Sequence, residues 1–262
     1  MAVMPKFAAN VSLMFTEVDF LDRFAAARAQ GFAAVEFLFP YAFPVAAIAE
    51  KLAQNELTLV LHNLPAGDWA AGERGMACDP ARVDEFHDSV TQALTYALAL
   101  KVPRLHCLAG LLPAGVTAEQ ARTTYVANLR HAAARLRPHG MDLLIEPINT
   151  FDMPGYFLST SAQAAAIIGQ CDTDNLFIQY DLYHMQRMEG DPAPGLREHV
   201  SLIRHMQLAD VPGRHEPGTG NMDYRALFAL IDALGYQGWV GCEYHPLGGT
   251  VAGLGWRSAL QT

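Results

Sequence analysis

The sequence has little of what marks nucleic-acid-binding or membrane-spanning proteins. Its 18 Lys and Arg residues are outnumbered by 27 Asp and Glu residues, which gives a formal net charge of −9, and no basic cluster occurs. Nucleic acid is therefore not an expected partner. No apolar run is long enough to span a bilayer, and the N-terminal stretch lacks the apolar core and cleavage site of a signal peptide. These absences predict a cytoplasmic protein without a membrane partner.

Cysteine is also scarce. The four cysteines are scattered along the chain without CxxC spacing, and at least two of them fall inside predicted strands. This distribution is typical of reduced thiols in a protein core, and it favours neither a disulfide framework nor a zinc site.

The chain contains instead a regular alternation of short apolar segments and amphipathic helical segments. About eight strand–helix units follow one another over residues 1–262, the number that closes a barrel, and no linker interrupts them. We therefore predict α/β architecture, a single (β/α)8 TIM barrel. The predicted strands are 7–13, 35–39, 57–64, 104–108, 142–148 and three segments ending near 180, 208 and 243; the predicted helices are 19–30, 45–54, 82–100, 117–136, 161–169, one near 196, and 224–234.

The most informative segment is DLLIEPI, residues 142–148. Its continuous apolar run is typical of a parallel strand buried on both faces, and Pro147 removes a backbone donor, so Glu146 should lie at the strand end. The C-terminal tip of a strand is where α/β barrels place their chemistry. A glutamate that merely points into water or pairs with an arginine is the alternative.

Three later strands repeat this arrangement, because Asp181, Gln207 and Glu243 each lie near a strand end. The separations from Glu146 onward are 35, 26 and 36 residues, about one strand–helix unit each. Carboxylate and amide oxygens suit a hard divalent cation such as Mg²⁺ or Mn²⁺. Without a cation, mutual repulsion would raise the pKa values of the three carboxyl groups.

The runs LLIEPIN, QYDLYHMQ, RHMQLADVPGRHEPGTG and VGCEYHP, with LHNLPAGDW and GERGMACDP, resemble the hydroxypyruvate isomerase family of xylose-isomerase-like TIM barrels over nearly the whole chain. The resemblance implies a divalent metal, Mg²⁺ or Mn²⁺, held by Glu146, Asp181, Gln207 and Glu243. It also implies that the two glutamates are the proton donor and acceptor. Related ketose 3-epimerases usually have a His in place of Gln207, which favours the isomerase branch.

The reaction that the resemblance implies is the interconversion of hydroxypyruvate and tartronate semialdehyde through an enediolate. His184 resembles a histidine that contacts substrate oxygens, although a hydrogen-bonding role behind the metal is the alternative. A guanidinium such as that of Arg214 suits a substrate carboxylate, with a surface salt bridge as its alternative. Glu36 and His62 either point into the barrel mouth and bind substrate or are satisfied core polar groups.

Two weaker candidates complete the set of residues. His106 is interpreted as structural. Trp69, in the long loop at residues 65–80, either closes over the substrate or packs locally. That loop and the loop at 210–223 both follow strands and should overhang the active face.

Several other functions compete with this interpretation. The nearest is a 2-dehydrotetronate isomerase, followed by a ketose 3-epimerase that uses the same two glutamates. A DNA-repair endonuclease of related fold would need a basic face, which the negative charge argues against. A catalytically inactive barrel that binds a sugar acid should have lost one of the two glutamates, and both are present. The expected partner is a small-molecule substrate; the number of subunits is left open, with a homo-oligomer among the alternatives.

Overall fold

The computed structural model describes residues 4–260. Met1–Val3, which belong to the N-terminal stretch considered above, and residues 261–262 of the predicted domain lie outside the described residues. Eight parallel strands pair in sequence order, and β8 pairs with β1, so the sheet closes into the predicted barrel. The strands are β1 Lys6–Asn10, β2 Ala34–Phe37, β3 Thr58–Asn63, β4 Arg104–His106, β5 Asp142–Ile145, β6 Leu176–Asp181, β7 Ile203–Leu208 and β8 Trp239–Cys242.

Helices surround the barrel. They are α1 Arg23–Ala29, α2 Val45–Gln54, α3 Val83–Leu100, α4 Ala118–Leu136, α5 Ser161–Cys171, α6 Leu182–Glu189, α7 Pro192–His199, α8 Tyr224–Ala233, α9 Thr250–Gly253 and α10 Trp256–Ala259. The predicted capping box of α4 is confirmed, because the Thr117 hydroxyl accepts from the Gln120 amide and the Gln120 side chain accepts from the Thr117 amide.

The sequence did not predict α6, α9 or α10. Helix α6 begins immediately after β6, without the Gly, Pro or polar residues that usually separate a strand from a helix. Asp181 ends the strand and also caps the helix, since its Oδ1 accepts from the Tyr183 amide at 2.8 Å. The strand end is thereby joined rigidly to the helix that carries His184.

The strands alternate their side chains between two environments. Leu143 and Ile145 of β5 belong to the large core between barrel and helices, whereas Leu144 belongs to a small cluster inside the barrel. That inner cluster is apolar and consists of Ala8, Ala34, Val60, Leu61 and Leu144. The inward positions nearer the strand ends are polar and buried, so the functional site rests on a packed apolar base.

Two further expectations can be compared with the structure. All four cysteines are free and buried, as predicted for core thiols. Among residues 4–260, no helix combines the length and the apolar character needed to cross a membrane.

Candidate active site

A cavity of about 230 Å³ opens at the C-terminal ends of the strands. Its wall contains four of the residues predicted from the sequence, Glu146, His184, Arg214 and Glu243. The rest of the wall is formed by Leu13, Leu38, Asn63, Trp69, His106, Leu108, Ile148, Met153, Gln179 and His245. The wall therefore combines apolar side chains with ionisable groups.

The two glutamates occupy equivalent places in the fold. Glu146 is the first residue after β5, and Glu243 is the first residue after β8. Both side chains are almost completely buried. Asp181 ends β6 nearby and is fully buried, and its Oδ2 lies 3.6 Å from Nε2 of His184. The strand ends thus bring three carboxyl groups to one small volume, as the spacing predicted.

One cation of the described chain, Arg214, reaches this group of acids. Its Nη2 lies 3.2 Å from Glu243 Oε2 and 3.6 Å from Asp181 Oδ2. The guanidinium Nε is buried and finds no hydrogen-bond partner among the described residues. An unused buried donor is costly, so this N–H is suited to bind an incoming oxygen.

Burial makes all three carboxyl groups harder to ionise than carboxyl groups in water. Burial, together with the charges of Glu243 and Asp181, raises the pKa of Glu146 well above its usual range. Burial raises the pKa of Glu243 to about 8 and that of Asp181 to about 6, although Arg214 lowers both. Carboxyl groups with pKa values near neutrality are suited to exchange protons with a substrate.

The site fits a divalent cation on one direct observation. Glu146 Oε1 and Asp181 Oδ2 are buried oxygens without a hydrogen-bond partner within residues 4–260. Each lies within 4 Å of His184 Nε2, and the three groups form a cluster whose ligand atoms all lie within 4.8 Å of one another. Two unused carboxylate oxygens facing a common point are the donor set of a hard cation.

Gln207 lies in β7, in register with Asp181 of β6. Its Oε1 accepts from Gln179 Nε2 at 2.6 Å, and its Nε2 donates to Glu36 Oε1 at 2.8 Å. A carbonyl oxygen has a second lone pair, so the predicted role of Gln207 as a metal ligand stays a prediction.

Glu36 does not reach the cavity wall. Its carboxylate lies inside the barrel, where Asn10 Nδ2 donates to Oε1 at 3.0 Å and His205 Nε2 lies 2.5 Å from Oε2. Gly241 on β8 makes this possible, because a Cβ there would lie only 2.3–2.5 Å from the Glu36 carboxylate. The structure thus places Glu36 beneath the site as a satisfied core group, which corrects the expectation that it meets the substrate.

His62 is likewise placed away from the cavity. Asn63 and Leu61 of β3 face the barrel interior, so the alternation of the strand directs His62 outward. Its ring stacks on Phe37 at 6.1 Å, and burial lowers its pKa to about 4. The expected substrate contact of His62 is therefore corrected to a place in the shell between barrel and helices.

Several wall residues were missed or interpreted differently. His106 lies 3.5 Å from Glu146 Oε2 and belongs to the wall, although the sequence analysis favoured a structural role. Gln179 lies two residues before Asp181, and that spacing is the signal that could have identified it. Trp69 lines the cavity and packs against Phe39 at 5.2 Å, so the loop after β3 does overhang the site.

Comparisons with known proteins agree with this architecture. A family model described as xylose isomerase-like TIM barrel matches residues 24–260. The 2-oxo-tetronate isomerase of Cupriavidus necator is 50% identical over 253 residues, 97% of each protein. The hydroxypyruvate isomerase of Escherichia coli is 51% identical over 253 residues, 97% of this chain and 98% of that protein. A Brucella melitensis crystal structure, titled AP endonuclease, family 2, superposes with a TM-score of 0.95 at 47% identity, covering 98% of this chain and 99% of that one.

Proposed function

The chain belongs to the xylose isomerase-like TIM barrel family and is an isomerase, and we propose that it moves the carbonyl group of a small hydroxy keto acid. The first candidate pair is hydroxypyruvate and tartronate semialdehyde. The four-carbon 2-oxo-tetronates are the second candidate, because a relative of similar identity carries that name. The proposal retains the small-molecule partner and the cytoplasmic location expected from the sequence.

The observation that carries the proposal is the pair Glu146 and Glu243. Both line one small cavity, both are buried, and the pKa of each is raised, chiefly by burial. Moving a carbonyl group along a carbon chain requires one group that removes a proton from carbon and one that returns a proton to the neighbouring carbon. Two glutamates on separate strands of one wall supply such a pair.

In this reaction one glutamate takes a proton from the hydroxymethyl carbon of hydroxypyruvate. A proton is then delivered to the former carbonyl carbon. The hydroxyl hydrogen passes to the former carbonyl oxygen, so that the hydroxyl oxygen becomes the aldehyde oxygen and the carbonyl oxygen becomes a hydroxyl. His106 Nε2 is buried and has no hydrogen-bond partner in the described part of the chain, so it can contact substrate as the charge develops. Trp69 and the neighbouring apolar residues would exclude water from the carbon being deprotonated.

An acid group on the substrate is supported by Arg214. It lines a cavity whose wall, among residues 4–260, contains no lysine and no second arginine, and its Nε–H is unused. A guanidinium is suited to a carboxylate, because it offers several donors in a fixed plane. The small volume of the cavity is also consistent with a three- or four-carbon acid.

We further propose a Mg²⁺ or Mn²⁺ cofactor held by Glu146 and Asp181, with Gln207 and Glu243 completing the predicted ligand set. Such a cation would polarise the substrate carbonyl group and so increase the acidity of the adjacent C–H bond. The unused oxygens of Glu146 and Asp181 support this assignment.

The test is a proton NMR assay of Mg²⁺-loaded protein in D₂O, with hydroxypyruvate and 2-dehydro-erythronate in separate samples. Glu146→Gln and Glu243→Gln should each abolish turnover and deuterium incorporation. Glu198→Gln is the matched control, since Glu198 is exposed on α7 and should behave as wild type.

The two acids distinguish the candidate substrates. Faster conversion of the three-carbon acid would support the first candidate, and faster conversion of the four-carbon acid would support the second with the same glutamates. If neither acid is converted and neither exchanges its C–H protons, both substrate assignments are wrong.

A further inference from the structure

The orientation of the Asn149 side-chain amide is fixed by the backbone. Asn149 follows Glu146 by three residues and is fully buried. Its Oδ1 accepts hydrogen bonds from the backbone N–H groups of Phe151, at 3.1 Å, and Asp152, at 2.8 Å. Rotating the amide by 180° would direct its NH₂ group at both of these donors. The NH₂ group must therefore point the opposite way.

That NH₂ group donates to two acceptors. One is Asp152 Oδ2 at 2.9 Å, and the other is Nδ1 of His184 at 2.7 Å. A ring nitrogen that accepts an N–H cannot itself carry hydrogen, so Nδ1 of His184 is the unprotonated nitrogen. The imidazole is then neutral, with its hydrogen on Nε2.

The Nε2–H of His184 faces the centre of the site. Glu146 Oε1 lies 3.8 Å away and Asp181 Oδ2 lies 3.6 Å away, both too far for a good hydrogen bond. Arg214 Nη2, at 3.5 Å, is itself a donor and cannot accept this hydrogen. Nε2–H is thus a buried donor available to an additional oxygen atom.

We propose that Asn149 is a positioning residue that holds His184 as the Nε2–H tautomer, so that His184 is a hydrogen-bond donor to a substrate oxygen and is unable to bind the metal. A nitrogen that carries hydrogen has no lone pair for a cation, so of the cluster Glu146, Asp181 and His184 only the two carboxylates are left as ligands. The tautomer follows from the protein alone. The contact of His184 with substrate rests on the proposed function.

The tautomer is measurable without substrate. Long-range ¹H–¹⁵N correlation spectra of protein labelled with ¹⁵N-histidine distinguish a protonated ring nitrogen from an unprotonated one, and His184→Gln identifies the His184 signals by their loss. We expect Nε2 protonated and Nδ1 unprotonated, in metal-free protein and in the presence of saturating Mg²⁺. Protonation of Nδ1 in the wild type, or loss of the Nε2 hydrogen when Mg²⁺ is added, would overturn the proposal.

Asn149→Asp tests the role of the amide. One carboxylate oxygen can still accept from the two backbone N–H groups, while the other now faces Nδ1 as an acceptor. The new carboxylate also lies opposite Asp152 Oδ2, so the spectra are recorded up to pH 9 in order to ionise both carboxyl groups. His184 Nδ1 should then become protonated, and an unchanged His184 spectrum at pH 9 would contradict the proposal. Asn55→Asp, at the end of α2 and remote from the cavity, is the matched control and should leave the His184 signals unchanged. Should Asn149→Asp fail to fold, the wild-type spectra still decide.

Activity gives a second readout. If the hydrogen moves from Nε2 to Nδ1, we expect kcat to fall about 100-fold, as when a single oxyanion donor is removed. A wild-type rate in Asn149→Asp with a reversed tautomer would refute the catalytic part of the proposal. Conversely, the expected tautomer in a protein that converts neither acid would refute the proposed substrates and leave the role of Asn149 standing.

Discussion

The loop between β7 and α8 depends on one buried carboxylate, that of Asp210. Its Oδ1 accepts from the backbone N–H groups of Val211, at 2.9 Å, and Met222, at 3.1 Å. Its Oδ2 accepts from those of Gly218, at 2.8 Å, and Gly220, at 3.0 Å. Four hydrogen bonds to one side chain hold both halves of the loop together. We therefore predict that Asp210→Asn is strongly destabilising although it is nearly isosteric.

The magnitude follows from the number of donors. An asparagine offers one oxygen, and its NH₂ group would face two of the four N–H groups, whichever way the amide is turned. A hydrogen bond to a charged group contributes about 1.5–3 kcal/mol, and water can offset part of the loss at the exposed Gly218 and Gly220, so the free energy of unfolding should fall by about 2–5 kcal/mol. For a chain of this length that corresponds to a decrease in Tm of roughly 4–10 °C.

The same substitution should weaken substrate binding. Arg214 lies in this loop at φ 55°, a left-handed conformation that a non-glycine residue rarely adopts, and its amide donates to the Asp210 carbonyl at 2.9 Å. Loosening the loop should displace the guanidinium, so KM for the acid substrate should rise. Thermal and urea unfolding, followed by steady-state kinetics, measure the two effects.

Asp223→Asn is the matched control within the same loop. Asp223 is exposed and caps α8 by accepting from the Ala226 amide at 3.0 Å, a position where Asn is about as favourable as Asp. The control should change the free energy of unfolding by only a few tenths of a kcal/mol. If Asp210→Asn is destabilised no more than Asp223→Asn, the role assigned to Asp210 is wrong.

Three further predictions concern other parts of the barrel. Gly241→Ala should lower the free energy of unfolding measured in urea by about 1–3 kcal/mol, because the new methyl group would overlap the Glu36 carboxylate. The control is Gly169→Ala in α5, which has open space around it and should be neutral or stabilising. Burial lowers the pKa of His62 from about 6.5 in the unfolded chain to about 4 in the folded protein, so the unfolded state binds the proton more strongly. The free energy of unfolding should therefore decrease by about 3 kcal/mol as the pH falls from 6.5 to 4. In unfolding experiments at a series of pH values, His62→Leu should remove that part of the decrease. Mg²⁺ or Mn²⁺ should raise the Tm of the wild type but not of Asp181→Asn, and an equal effect of the cation on both proteins would contradict the proposed ligand.

The order of strands and helices could be predicted because the periodicity of apolar residues is local. Helix α2 was predicted with the observed bounds, and the capping box of α4 was recognised from Thr117 and Gln120. The strand ends were less predictable. The first strand was predicted to reach Leu13, whereas β1 ends at Asn10, because apolar character continues into the loop where the hydrogen-bonded ladder does not.

The candidate site was predicted less completely than the fold. Alternation along a strand, applied from Asp181 backwards, identifies Gln179 as inward-facing, and applied to β3 it separates Asn63 from His62. Both inferences were available from the sequence. The roles of Asn149 and Asp210 were not, because they depend on backbone N–H groups that only the folded loops bring to these side chains.

The balance of charge in the cavity explains why one side of it is suited to a cation. Arg214 contacts Glu243 and Asp181, so part of the negative charge is already offset where the guanidinium lies. Among residues 4–260, no arginine or lysine nitrogen lies within ion-pair distance of Glu146, whose Oε1 lies beside His184 Nε2 together with Asp181 Oδ2. A second arginine there would fill the space beside Glu146, whereas a compact divalent ion would offset the negative charge and leave coordination positions for substrate oxygens. The proposed cation would therefore add positive charge beside Glu146, the glutamate that Arg214 does not contact, while Arg214 contacts Glu243.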